Sequence, residues 1–292
     1  MTDDALVYDR RPALNRPVMV AAFRGWNDAG DAASFAAQHL QRVWGAEPMA
    51  SIDPETFFDF QATRPQVELV DGVTRRITWP ANEFSAAHLG GAAHDVIVLV
   101  GTEPNLRWKS FTALVVALAR EHDVELVITL GALLADVPHS RPVPITGTAA
   151  DQELIDRLGL QRSRYEGPTG IVGVLHDSLA QEGIASASLW AAVPHYLAVT
   201  PNPKAALALV DKAVGLVGWP AEVDDLERAS AAYEERVSEM VSSDEDVTAY
   251  VKLLEERADE RSRDSLEEME LPTGDALAAE LETFLRDRGN DE

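Results

Sequence analysis

Two short runs constrain the fold more than any other feature of the chain. Asp95 to Gly101 reads Asp-Val-Ile-Val-Leu-Val-Gly, and Glu125 to Gly131 reads Glu-Leu-Val-Ile-Thr-Leu-Gly. Successive side chains of a strand point to opposite faces. Strands apolar on both faces need cover on both, which helices provide in a parallel α/β sheet. Residues 17–23 read as a third buried strand, Met49 to Ile52 and Ala185 to Val193 as two more. Helical spacing of apolar residues falls at 28–44, 107–122, 151–159, 171–182 and 203–217. This alternation argues for βαβ units joined by right-handed crossovers.

One segment departs from that pattern. Val67 to Val70, Asp71-Gly72, and Val73 to Trp79 form a hairpin signal, because Asp-Gly supplies the positive φ angles of a tight turn. The expectation is a three-layer α/β/α fold with a mostly parallel mixed sheet and a C-terminal helical extension. Residues 1–220 form the α/β/α domain, and residues 221–292 an acidic extension. In that extension 222–241 and 245–262 read as a helical hairpin, with Ser242-Ser243-Asp244 turning the chain and capping the second helix. A last helix near 275–286 carries Leu277, Leu281 and Leu285 in a stripe that needs a surface to bury against.

Composition excludes several functions. The chain of 292 residues has no cysteine, so disulfides, thiolate catalysis and thiolate metal sites are ruled out. Its net charge of −24 repels phosphate backbones, so no nucleic-acid partner is expected. Residues 221–292 hold 24 acidic and 8 basic side chains, so most of the charge sits in the extension. No apolar window is long enough to span a membrane, and the N-terminus does not read as a secretory signal; a cytoplasmic protein is expected. The seven histidines show no metal-ligand spacing, and no metal or cofactor is expected.

Most candidate site residues cluster in four polar loops, each after a predicted strand, 23–31, 101–108, 131–141 and 193–196, with Glu166 and Thr169 in a glycine-rich helix entry. If those strands are parallel, the loops share the carboxyl edge of the sheet, where open α/β sheets bind ligands. The candidate pocket comprises Arg24, Asn27, Asp28, Glu103, Arg107, Asp136, His139, Arg141, Glu166, Thr169 and His195. Each also has a structural reading. Asp28 with Asp31 reads as a helix cap worth about 1 kcal/mol. Glu103 and Arg107 read as a local ion pair. Asp136, His139 and Arg141 offer a base and an anion clamp, or a rigid proline-flanked loop. His195 reads as a base or as a structural histidine. Glycines from Gly167 to Gly173 lead into a helix whose N–H groups are free to hold an anion, or they form a tight turn against the sheet. Gly25 to Gly30 lacks the lysine and hydroxyl of a nucleotide loop, and no nucleophile elbow, dinucleotide fingerprint or zinc-protease motif is present.

Taken in order, these loops resemble a known family. Arg24-Gly25-Trp26-Asn27-Asp28-Ala29-Gly30, Gly101-Thr102-Glu103-Pro104, Leu133 to His139, Tyr165 to Ile171 and Ala192 to Tyr196 are similar to the PAC2 (proteasome assembly chaperone 2-like) family, in its bacterial, actinobacterial branch. The likeness covers about residues 15–220. It implies a phosphorylase/hydrolase-like α/β/α fold and self-association, with a trimer favoured. Members elsewhere act on proteasome assembly, some through a C-terminal hydrophobic-Tyr-x motif. This chain ends Arg288-Gly289-Asn290-Asp291-Glu292, so docking by that route is not expected. The resemblance carries over no catalytic residue. The favoured function is a non-enzymatic homo-oligomeric assembly or interaction factor, with proteasome subunits or another protein as partner. The alternatives are a phosphorylase- or hydrolase-type enzyme acting on a small anionic or nucleoside-like substrate, and a purely structural homo-oligomer.

Overall fold

The structure is a computed structural model that describes residues 5–149, 151–162, 165–196 and 199–269. In chain order its elements are β1 (Leu6–Tyr8), β2 (Val18–Arg24), α1 (Ala32–Val43), β3 (Glu47–Ile52), β4 (Gln66–Val70), β5 (Thr74–Thr78), β6 (Asn82–Ala87), β7 (Val96–Thr102) and α2 (Trp108–Glu121). There follow β8 (Leu126–Ala135), β9 (Ile145–Ala149), α3 (Gln152–Leu158), β10 (Gln161–Arg162), α4 (Ile171–Gln181), β11 (Ala185–Pro194), α5 (Pro203–Val217), α6 (Asp224–Ser242) and α7 (Glu245–Met269). The predicted terminal helix at 275–286 lies outside the described residues.

Nine strands form one mixed sheet in the order β1-β3-β6-β7-β2-β8-β11-β9-β10. The central strands β7, β2, β8 and β11 run parallel. Antiparallel ladders flank them: β6, β3 and β1 on one side, β9 on the other. The parallel part is thus the centre of the sheet, where the strands apolar on both faces were expected. The hairpin β4–β5 forms as predicted, with positive φ at both Asp71 and Gly72, but it is a separate two-stranded sheet. Strands β1, β3, β6 and β9 make the main sheet mixed, not the hairpin.

β2 shows why the centre needs two helical layers. Val18, Val20 and Ala22 pack into the core beneath α1 and α5, while Met19, Ala21 and Phe23 pack into the opposite core with α2 and α4. Phe111 of α2 meets Phe23 and Phe57 edge-on, at centroid distances of 6.0 and 5.5 Å. Each such buried ring stabilises the fold by about 2 kcal/mol. Local signals fix the helix ends. Asn202 accepts a hydrogen bond from the Ala205 N–H at 3.0 Å, Pro203 follows it, and Gly218 in the left-handed region closes α5.

α6 lies against α5, and α7 turns back on α6. The turn uses Asp244, whose carboxylate accepts from the N–H groups of Asp246 and Val247 at 2.9 and 3.2 Å. Tyr233, Val237, Val241 and Val251 form a small core of their own, with Tyr196 and Val199 from the α/β layer packed against it. No described helix is long and apolar enough to cross a membrane.

Candidate functional site

Because β7, β2, β8 and β11 are parallel neighbours, the four polar loops emerge on one edge of the sheet. They do not surround one pocket, as the sequence suggested. They divide into an open cleft on one side and a surface fastened by the tail helices on the other.

The cleft has a volume of 1110 Å³. Of the eleven candidates, Asn27 and Thr169 line it. Asn27 is 2% exposed, and its side-chain N–H donates to Glu103 Oε1 at 3.1 Å. The same oxygen accepts from the Ile171 N–H at 2.8 Å. Glu103 therefore caps α4, supplying the negative charge that a helix N-terminus favours. The helix start proposed to hold an external anion is already occupied by a carboxylate. Gly170 permits this approach, since a Cβ there would lie 2.5 Å from Asn27 Nδ2 and 2.7 Å from Glu103 Oε1. Glu103 forms no ion pair with Arg107 among the described residues, contrary to expectation. Arg107 sits at φ 54°, and its carbonyl starts α2.

The floor of the cleft lies deeper between α4 and the sheet. Three side chains align across β8, β11 and β9, because Ser188 pairs in register with Thr129 on one side and Thr148 on the other. Thr129 Oγ1 and Ser188 Oγ are 2.7 Å apart. His176 of α4 joins them, with Nε2 at 2.9 Å from Thr129 and 3.2 Å from Ser188, and Nδ1 at 2.7 Å from Ser186. Burial between α4 and the sheet pushes its pKa down to about 4, so the imidazole is neutral at pH 7. Trp190 donates its indole N–H to Ser188 at 3.2 Å. Its ring occupies the space left by Gly131, where a Cβ would approach it to 2.7 Å. The pairing of His176 with Ser186 has the outline of a base and nucleophile. A neutral imidazole of such low basicity accepts a proton poorly, and its ring nitrogens bond hydroxyls rather than a carboxylate, so the cluster is suited to hydrogen bonding rather than to activating a serine.

The other half of the edge is charged and tied to the tail helices. His139 is 5% exposed, and its backbone N–H donates to Tyr196 Oη at 2.8 Å. Tyr196 Oη is then free to donate to His139 Nδ1 at 2.9 Å, while Nε2–H donates to Ser238 of α6 at 3.1 Å. That neutral tautomer satisfies every partner, and burial lowers the histidine's pKa accordingly. Burial likewise pushes the Tyr196 hydroxyl up to about 12. Lys204 bonds the His139 carbonyl and pairs with Glu234, both at 2.5 Å. Arg141 grips Asp259 of α7 with two bonds, at 2.7 and 2.9 Å. Ser140 bonds Glu255. Asp136 pairs with His195 at 3.1 Å and accepts from the Tyr250 hydroxyl at 3.4 Å.

The remaining candidates stand apart from the cleft. Asp28 is buried, and its carboxylate accepts from the N–H groups of Ala33 and Ser34 at 2.7 and 3.2 Å, capping α1. Burial raises its pKa against the lowering by those bonds. Arg24 borders a smaller hollow of 370 Å³ beside Asp31 and Pro201. Glu166 is exposed in the loop before α4. Among the described residues no group of His, Asp or Glu is placed to hold a metal ion. Sequence reading missed the floor residues. Its only signal was Ser186, Ser188 and Trp190 alternating with small apolar residues along a strand otherwise read as buried.

Comparison with known proteins agrees with this architecture. A search of curated proteins found no match. A PAC2 family protein from Streptomyces avermitilis is 46% identical, with a TM-score of 0.75 over 80% of this chain and 99% of that one. A Mycobacterium tuberculosis proteasome-assembly chaperone homologue is 44% identical, with a TM-score of 0.73 and the same coverage. An archaeal proteasome activator from Pyrococcus furiosus, 18% identical, shares the fold with a TM-score of 0.65 over 80% of this chain and 97% of that one. The sequence pattern of the PAC2 family matches residues 22–241, from within β2 to the end of α6, and the chain belongs to that family.

Proposed function

We propose that the protein is a non-enzymatic assembly factor that binds proteasome components as a homo-oligomer. The observation that carries this reading is the match to the mycobacterial proteasome-assembly chaperone homologue, which spans 99% of that chain at 44% identity. The geometry is consistent with it. Asp28 and Glu103 cap helices, His139 and Arg141 fasten the tail, and Asp136 pairs with His195. Side chains committed in this way are poor candidates for an acid–base pair acting on an anionic or nucleoside-like substrate. Affinity capture of the full chain from its own cells, read by mass spectrometry, is expected to enrich proteasome subunits. Capture at its native oligomeric mass without any of them would overturn the proposal.

A further inference from the structure

The cleft differs chemically from the rest of the molecule. The chain has 49 acidic and 25 basic residues, yet none of the residues lining the cleft is charged. His176, its one titratable ring besides Tyr165, is neutral at pH 7. The nearby helix N-terminus, which would ordinarily attract an anion, holds the carboxylate of Glu103 instead. A second anion there meets that charge at close range. A cation finds no carboxylate on the walls. The walls themselves therefore offer no charged partner to a ligand of either sign.

What remains is apolar surface with hydrogen-bonding groups at set places. Trp190 lies on the floor, and Trp26 and Tyr165, 62% and 66% exposed, stand at the cleft as further aromatic surfaces. Asn27 has its amide N–H committed to Glu103, so its Oδ1 is turned to acceptance, and it takes part in none of the described hydrogen bonds as an acceptor. Thr146 and Thr148 line the wall with hydroxyls that likewise make none of those bonds. The volume is slightly above the range typical of small-molecule sites, which characteristically combine an apolar body with few placed polar groups.

We infer that this cleft binds an uncharged aromatic small molecule bearing hydrogen-bonding groups. The ring lies against Trp190, and its polar substituents meet Asn27, Thr148 and the hydroxyl–imidazole cluster. This site does not depend on the assembly reading and is testable on the purified chain without any proteasome subunit.

The test compares three probes with one ring system: neutral 1-naphthamide, anionic 1-naphthoate and cationic 1-naphthylmethylamine. Each is titrated into the full chain at pH 7 by calorimetry. Saturable binding of the amide, at least tenfold tighter than either charged probe, is expected. Ala180→Trp fills the cleft from an exposed position on α4, so folding is preserved and amide affinity falls at least tenfold. Thr148→Val removes one hydroxyl at constant shape and is expected to weaken the amide about threefold to tenfold, the worth of one hydrogen bond. The inference is overturned if the amide shows no saturable binding, if the charged probes bind equally well, or if Ala180→Trp leaves affinity unchanged. It is also overturned if Ala180→Trp instead alters the native mass, because the cleft is then an interface between copies.

Discussion

The two halves of the sheet edge are built from the same material, polar loops after parallel strands, and are used in opposite ways. On the tail side, charges face partners within the chain: Arg141 with Asp259, Lys204 with Glu234, Asp136 with His195. On the cleft side, neutral hydroxyls, an amide and an imidazole line an open space. The difference shows that charge here fastens elements to one another, while uncharged polar groups are left facing the space that a ligand would fill.

Acid is the strongest test of that contrast. The pKa of His176 falls from its ordinary value of 6.5 to about 4 in the fold, so the unfolded chain binds more protons between those values. Its contribution is whole above pH 6.5 and declines as pH falls toward 4, by at most about 3 kcal/mol. His139 shifts in the same direction and adds to the decline. Urea midpoints at pH 7 and pH 4.5 should therefore differ less in His176→Gln than in the parent chain. Equal differences would mean that His176 is better hydrated than its burial implies.

Glu103→Ala comes next. It strips the cap from Ile171 N–H and the partner from Asn27 together, and is expected to cost about 2 kcal/mol in a urea titration. His139→Ala, which breaks the links to Tyr196 and Ser238, is expected to cost about 1 to 2 kcal/mol and to expose α6 amides to hydrogen exchange. The smallest global effect belongs to Arg141→Ala. Its pair is partly exposed and screened by solvent, so the unfolding midpoint should move little while the amides of α7 exchange faster. A large midpoint shift there would erase the distinction between a fastened tail and a structural core.

Much of this architecture was legible in the sequence. Strands β7 and β8 declared themselves by being apolar at nearly every position, and α5 by its apolar spacing over 203–217 after Pro203. Other elements were hidden for physical reasons. β6 reads Asn-Glu-Phe-Ser-Ala-Ala, with a buried asparagine and serine that mimic a loop. β9 reads Ile-Thr-Gly-Thr-Ala, too short and too polar to stand out, because its threonines face the cleft. The strand order brought the four loops to one edge, but side-chain pairing decided which of them faced open space. That pairing joins residues from 30 positions apart, as in Lys204 with Glu234, to 118, as in Arg141 with Asp259, and no local pattern encodes it.

β11 connects both halves. Its first residues carry Ser186, Ser188 and Trp190, and its end leads into His195 and Tyr196 beneath the tail. All ten of its residues are in register with β8, from Ala185 opposite Leu126 to Pro194 opposite Ala135. A strand laced along its full length behaves as a stiff rod and has no freedom to slide. Filling one end should therefore leave the grip at the other unaltered. Ala180→Trp, which fills the cleft, should then leave the amide exchange of α7 unchanged, and faster exchange there would reveal slack in that rod.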